Sequence, residues 1–326
     1  MNFIWYLKAY VKYAILFCVV YFIYNYLTVP LKNDIELYAN EIQHEAYICK
    51  TNKDIFDKFY LKVYNGLYEN KQITKKYIEI LDNILITKDS KKWKKMNKTE
   101  EKENILIVYP KQNNLLEYCK DMSFNMEIAS QNDYMSDYLK ENGYENSKVT
   151  DITNSFTYEP SKYTHILCDD NSIYTLSFKE QIKLIENMAL WCKDDGKNRY
   201  VIIKLIDEVI LTNCTRPNIF MSSKHTKTEI KKGEVIFDKY KIKTNIKCRD
   251  SYNNSKYRTI SVKETVYFKE TNKKRIYEYC YNITPLENIV KEFRRNGFKI
   301  MNKQLLNTIS TLYDKQYIYV FKKEKE

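Results

Sequence analysis

Residues 104–120 read NILIVYPKQNNLLEYCK, and the alternation that begins there decides the fold. Ile105-Leu-Ile-Val-Tyr109 is a short, unbroken apolar run, the pattern of a strand buried on both faces. Leu115 to Met122 continues with helical spacing. The rhythm then repeats. Asn125–Ala129 reads as a strand. Asp133–Glu141 reads as a helix stopped by Gly143, a residue suited to the left-handed position that follows a helix. Lys148–Ile152 and Tyr163–Cys168 read as further strands, Phe178–Trp191 as an amphipathic helix and Arg199–Leu205 as a fifth strand rich in β-branched residues. Strands alternating with helices at these distances predict a three-layer α/β sheet.

Beyond Glu208 the texture changes. Val235–Ile242, Lys256–Lys263, Thr265–Lys269 and Arg275–Ile283 alternate polar and apolar residues, as half-buried antiparallel strands do. Residues 209–283 therefore read as a β-rich insert. Thr284-Pro285 stands in the order expected of an N-cap and first helical residue, ahead of a helix over Leu286–Asn296 ending at Gly297. Phe298–Leu305 and Lys315–Phe321 read as two final strands.

On the amino-terminal side, Glu36–Ile48, Ile55–Leu67 and Tyr77–Leu85 have helical spacing, and KDSKKWKKMNKTEEKEN (88–104) reads as a charged linker. Before them, YAILFCVVYFIYNYLTVPL (13–31) is a run of 19 uncharged residues. As a helix it would span about 28 Å, close to a bilayer's hydrocarbon core. Lys8 and Lys12 precede it, and tyrosines lie toward both ends, where aromatic rings favour the interface. Bulky residues continue to its end, unlike the small-residue site of a cleaved leader. The run predicts a single-pass anchor. The organisation expected is an anchor (1–31), a helical entry segment with linker (32–103) and an α/β domain (104–326).

Composition narrows the chemistry. Five glycines and five prolines in 326 residues argue against glycine-rich phosphate loops. The net charge is +12, but Lys, Asn, Ile and Tyr are inflated together, as AT-rich coding produces, so the charge alone is weak support for nucleic acid. The linker lysines Lys91, Lys92, Lys94 and Lys95 surround Trp93 and keep a phosphate- or lipid-binding reading open. The eight cysteines form no C-x-x-C, and three histidines are too few and scattered for a metal centre, so none is expected. His165 and Cys168 read as packed strand positions.

Four segments in order resemble a class I S-adenosylmethionine-dependent methyltransferase, and in particular the methyltransferase-like proteins of giant DNA viruses. They are IFDKFYLKVYNGLYENK (55–71), YTHILCDDNSIYTL (163–176), WCKDDGKNRYVIIKLID (191–207) and VKEFRRNGFKI (290–300). The resemblance implies a Rossmann-like sheet, S-adenosylmethionine as cofactor, a small-molecule or protein methyl acceptor, and for the anchored chain a host or virion membrane. It also locates the departures. Where the family carries L-D-x-G-x-G-x-G, this chain has Leu106-Ile-Val-Tyr-Pro-Lys-Gln-Asn113. Ile107 replaces the acid, and Tyr109, Lys111 and Asn113 replace the three glycines. The ribose-binding acid falls at Ser130, with Asp133 a displaced candidate. Asp151-Ile152 matches the position at the adenine edge. Tyr64 is the pocket-lining candidate from the entry helix, and Asp169 or Asp170 the candidate base after the fourth strand.

Glycine serves at such a turn because the backbone approaches the ligand and adopts positive φ. Side chains on all three positions predict a methyltransferase-fold protein with lost or strongly altered cofactor binding, acting as a structural or interaction module. An active divergent methyltransferase and a basic nucleic-acid or membrane-surface protein stay open as alternatives.

Overall fold

The computed structural model describes residues 17, 21, 47–57, 59–61, 78–79, 103–110, 113–121, 124–168, 172–194, 199–207, 230–231, 234–236, 239–250, 257–271, 273–305 and 316–324. The chain forms two compact units, Met1–Ile48 and Cys49–Glu326. In the first, Phe17 and Tyr21 are helical and exposed. Among the described residues no helix is long and apolar enough to cross a membrane; most of the 13–31 run lies outside them.

In chain order the strands and helices are β1 (Tyr47–Thr51), β2 (Asn104–Val108), α1 (Asn113–Asp121), β3 (Asn125–Ser130), α2 (Asp133–Glu141), β4 (Ser147–Val149), β5 (His165–Cys168), α3 (Phe178–Trp191) and β6 (Tyr200–Ile206). Then come β7 (Ile230–Lys231), β8 (Glu234–Ile236), β9 (Tyr240–Asp250), β10 (Arg258–Phe268), β11 (Lys274–Ile283), α4 (Leu286–Arg295), β12 (Phe298–Leu305) and β13 (Gln316–Lys323).

The central sheet has the order β12-β13-β6-β5-β2-β3-β4. Strands β2 to β6 pair in parallel, while β13 runs antiparallel to both β6 and β12. Strand order reverses between β2 and β5, so the switch point, where open α/β sheets bind ligands, lies at the carboxyl ends of these two strands. Strand β6 is buried along its whole length, which explains why it is apolar apart from Lys204. Helix α3 buries Gln181, Leu184, Ile185, Met188 and Trp191, one face at helical spacing, and starts with a Ser177–Glu180 capping box. Helix α4 inserts Phe293, whose ring stacks on Phe321 of β13 at 4.0 Å. Gly143 and Gly297 take positive φ after α2 and α4, as the sequence predicts.

The second sheet, β1-β11-β10-β9-β8-β7, contains the insert. Two expectations are corrected here. Lys256–Lys263 and Thr265–Lys269 are one strand, β10, because Glu264 is buried against the hydroxyl of Tyr60 rather than exposed in a turn. Helical spacing through Ile48 gives way to β1, which adds to the edge of β11 and satisfies backbone groups that edge would otherwise expose. Two smaller differences follow from local bonds. Pro285, not Thr284, occupies the N-cap of α4, since the Thr284 hydroxyl is committed to Gln181. The third strand of the parallel set ends at Val149, because Asp151 turns the chain by accepting from the amide of Thr153.

His165 opens β5 at the sheet's amino edge, away from the ligand edge, beside Thr164 and the Glu103–Arg199 ion pair. Burial lowers its pKa to about 4; Glu103 opposes the shift and Arg199 adds to it. The unfolded chain therefore takes up this proton at higher pH than the folded one. The associated stability is complete above about pH 6.5 and is lost as pH falls toward 4. Urea midpoints measured from pH 7 to pH 4 should fall accordingly, and His165→Gln should flatten that limb; parallel curves would show that another group dominates.

Candidate functional site

The switch point is assembled from the ends of β2, β3, β4 and the 3-10 turn Ser172–Thr175 that follows β5. Tyr109 leaves β2 with φ +48, the left-handed region, which costs a tyrosine about 1–2 kcal/mol. Its amide donates to Ala129 O at 2.9 Å, extending the ladder to β3. Its ring is buried, and its hydroxyl donates to Thr150 O at 3.0 Å, beyond the end of β4. Since β3 lies between β2 and β4, the ring passes the carboxyl end of β3. Burial pushes this hydroxyl above the usual tyrosine range, so it stays protonated and a donor.

Two further bonds cross the same edge. Ser172 Oγ donates to Tyr109 O at 2.7 Å, joining the ends of β2 and β5 at the switch point. Gln131 Nε2 donates to Thr175 Oγ1 at 3.1 Å, joining the end of β3 to the same turn. The Tyr158 hydroxyl donates to Thr150 Oγ1 at 3.3 Å, so both oxygens of Thr150 are engaged by tyrosines.

The other expected residues are placed as follows. Ser130 is fully buried, its hydroxyl 2.7 Å from that of Ser147, and so is turned into the sheet layer. Asp133 is exposed as the first residue of α2. Asp151 is exposed after β4, its carboxylate accepting from the amide and hydroxyl of Thr153 at 2.9 and 2.7 Å. Ile152 is buried, and its carbonyl accepts from Asn187 Nδ2. Asn113 is the first residue of α1. Tyr64, Lys111, Asp169 and Asp170, together with the linker lysines, lie outside the described residues. Among the described residues no group of His, Cys, Asp or Glu is arranged to hold a metal ion.

A second polar cluster was not anticipated. Tyr60 donates to Glu264 at 2.6 Å, and its ring centroid lies 4.5 Å from that of Tyr277. Asp57 accepts from the amide of Tyr60 at 2.8 Å and from Arg275 at 3.2 Å. These contacts fasten the entry segment to the inner face of the insert sheet. The acid in IFDKFY was a usable signal, since Asp57 stands between the apolar residues Ile55, Phe56 and Tyr60, all buried.

The sequence matches no known family profile and no curated protein. Solved structures do share the fold. An S-adenosylmethionine-dependent methyltransferase from Clostridium acetobutylicum superimposes with a TM-score of 0.54 at 14% identity, over 81% of this chain and 98% of that one. The SAM-bound amino pentose methyltransferase CalS10 of Micromonospora echinaspora gives 0.53 at 10% identity, over 82% and 98%. DesVI of Streptomyces venezuelae gives 0.50 at 14% identity, over 80% and 95%. The sheet order and these likenesses define the fold as the Rossmann-like class I methyltransferase fold; at such identities the likeness is one of fold alone.

Removing only the Tyr109 hydroxyl should cost about 1 kcal/mol, the net value of one hydrogen bond. Tyr109→Gly should cost more than Tyr109→Phe. The relieved backbone strain of about 1–2 kcal/mol is outweighed by loss of the hydroxyl bond together with about 2–3 kcal/mol of ring burial. Chemical denaturation of the three proteins tests this order; a more stable glycine variant would mean that the ring contributes little.

Proposed function

We propose that this chain uses the methyltransferase fold as a membrane-anchored structural or interaction module, and that its ligand edge no longer admits S-adenosylmethionine in the manner of the family. The observation that carries this reading is Tyr109. Its ring runs from the end of β2 past β3 to Thr150, over the edge where an open α/β sheet receives its nucleotide. The missing acids support it. Ser130 has no charge to offer ribose hydroxyls and is turned inward, and Ile107 is a fully buried strand residue. CalS10, a neighbour in fold, is solved with SAM bound, so the fold itself is compatible with binding. The loss is assigned to the residues of this edge.

One observation favours a divergent active enzyme. Asp151 keeps an exposed carboxylate at the end of β4, beside a buried Ile152. Calorimetric titration of the full chain with S-adenosylmethionine and with its demethylated product separates the readings. The module reading expects no saturable binding below about 1 mM; dissociation constants in the micromolar range overturn it.

The anchor is the uncharged run 13–31, whose exposed Phe17 and Tyr21 are suited to lipid contact. The full chain, expressed in cells, should remain with the membrane pellet after alkaline carbonate washing. Release into the supernatant would remove the anchor from this reading.

A further inference from the structure

Away from the ligand edge, helices α3 and α4 enclose a groove of about 410 Å³, within the size range of small-molecule sites. Its floor is made by Ile185 and Ile289, both almost fully buried, with Gln181 and Thr284 beside them. The donors of these two polar side chains are committed inside the protein. Thr284 Oγ1 donates to Gln181 Oε1 at 2.7 Å, and Gln181 Nε2 donates to Leu176 O and Asn282 O at 3.1 and 2.6 Å. A carboxylate or other acceptor pushed onto this floor would lose water and find no donor, so the aliphatic floor favours the apolar part of a ligand over an anionic head. One wall is aromatic. Phe178 and Tyr257 meet edge to face at 5.0 Å, and Asn288 donates to the Tyr257 hydroxyl.

The rim has the opposite character. Lys179 and Lys291 are exposed at the mouth, while Arg295 is paired with Glu292. The lip between them carries Ile182, 41% exposed despite its apolar side chain. A neutral chain would leave the two lysines without a counter-charge. A compact polar anion would leave the aliphatic floor wet. We propose that the groove binds an amphipathic monoanion of the fatty-carboxylate class, its chain over Ile185 and Ile289 and its head at Lys179 and Lys291. This site is separate from the Tyr109 edge and does not depend on whether a nucleoside binds there.

Photolabelling tests it on the full chain in phosphatidylcholine nanodiscs, with a diazirine derivative of decanoate as probe and mass spectrometry as readout. Labels should fall on Phe178–Ile185, Tyr257 and Asn288–Arg295. Unlabelled decanoate should compete at least about tenfold better than decanol, and decyltrimethylammonium should not compete. Lys291→Glu should weaken labelling by about tenfold or more, the effect of reversing one contacting charge at the mouth. Ile182→Trp, a change at an exposed position, should block the groove and abolish labelling at an unchanged melting temperature. Equal competition by decanol, labels confined to other surfaces, or labelling unaltered in both variants would overturn the proposal.

Discussion

The Tyr109 hydroxyl holds the carbonyl of Thr150 from two strands away, and the arrangement of the ligand edge follows from that one contact. To make it, the ring must lie across the end of β3, and the backbone must hold φ +48. Tyrosine meets that dihedral with strain where glycine would meet it without, and the ring's burial and hydrogen bond offset the cost. Ser172 and Gln131 extend the consequence by tying the turn after β5 to the ends of β2 and β3.

The insert sheet depends on a different kind of contact. Glu264, at the middle of β10, is almost fully buried and faces Tyr60. Asp57 is matched by Arg275 and, at 4.0 Å, by Lys50. Buried carboxylates add little net stability, because desolvation consumes most of the attraction. They are intolerant of losing a partner, however, since an uncompensated charge would remain inside. The clamp therefore acts chiefly on placement. The entry segment can dock on the inner face of β10 and β11 only in the register that gives both acids their donors.

The legible parts of this chain were those specified by local chemistry. Helices α2 and α3 were bounded to the residue by their spacing and by Gly143, and in the structure Asn132 and Ser177 cap their starts. Strands β2, β5 and β6 were visible because burial on both faces demands dense apolar runs. What could not be read depended on partners distant in sequence. Glu264 looked like a break in a strand because Tyr60, 204 residues away, was needed to explain it. Tyr47 and Ile48 looked helical because the edge of β11, which claims β1, lies more than 220 residues downstream. At the carboxyl ends of the strands, the sequence singled out Tyr109, which is buried and bonded to Thr150 O. Sequence reasoning could not foresee that Ser130 would turn to Ser147 or that Gln131 would reach Thr175, since both contacts are set by strand order rather than spacing.

That strand order also links the two faces of the molecule. Gln181, under the floor of the α3–α4 groove, donates to the carbonyl of Leu176. Leu176 directly follows the 3-10 turn whose Thr175 and Ser172 hold Gln131 and Tyr109. The same Gln181 side chain holds Thr284 and the backbone of Asn282, where the insert returns to α4. A single buried amide thus joins the central sheet, the insert and the groove. Its three bonds have directions fixed by one rigid plane, so α3 cannot slide without breaking at least one of them. The carboxyl ends of the central strands are tied in through this residue, and any ligand resting on α3 rests on the same frame.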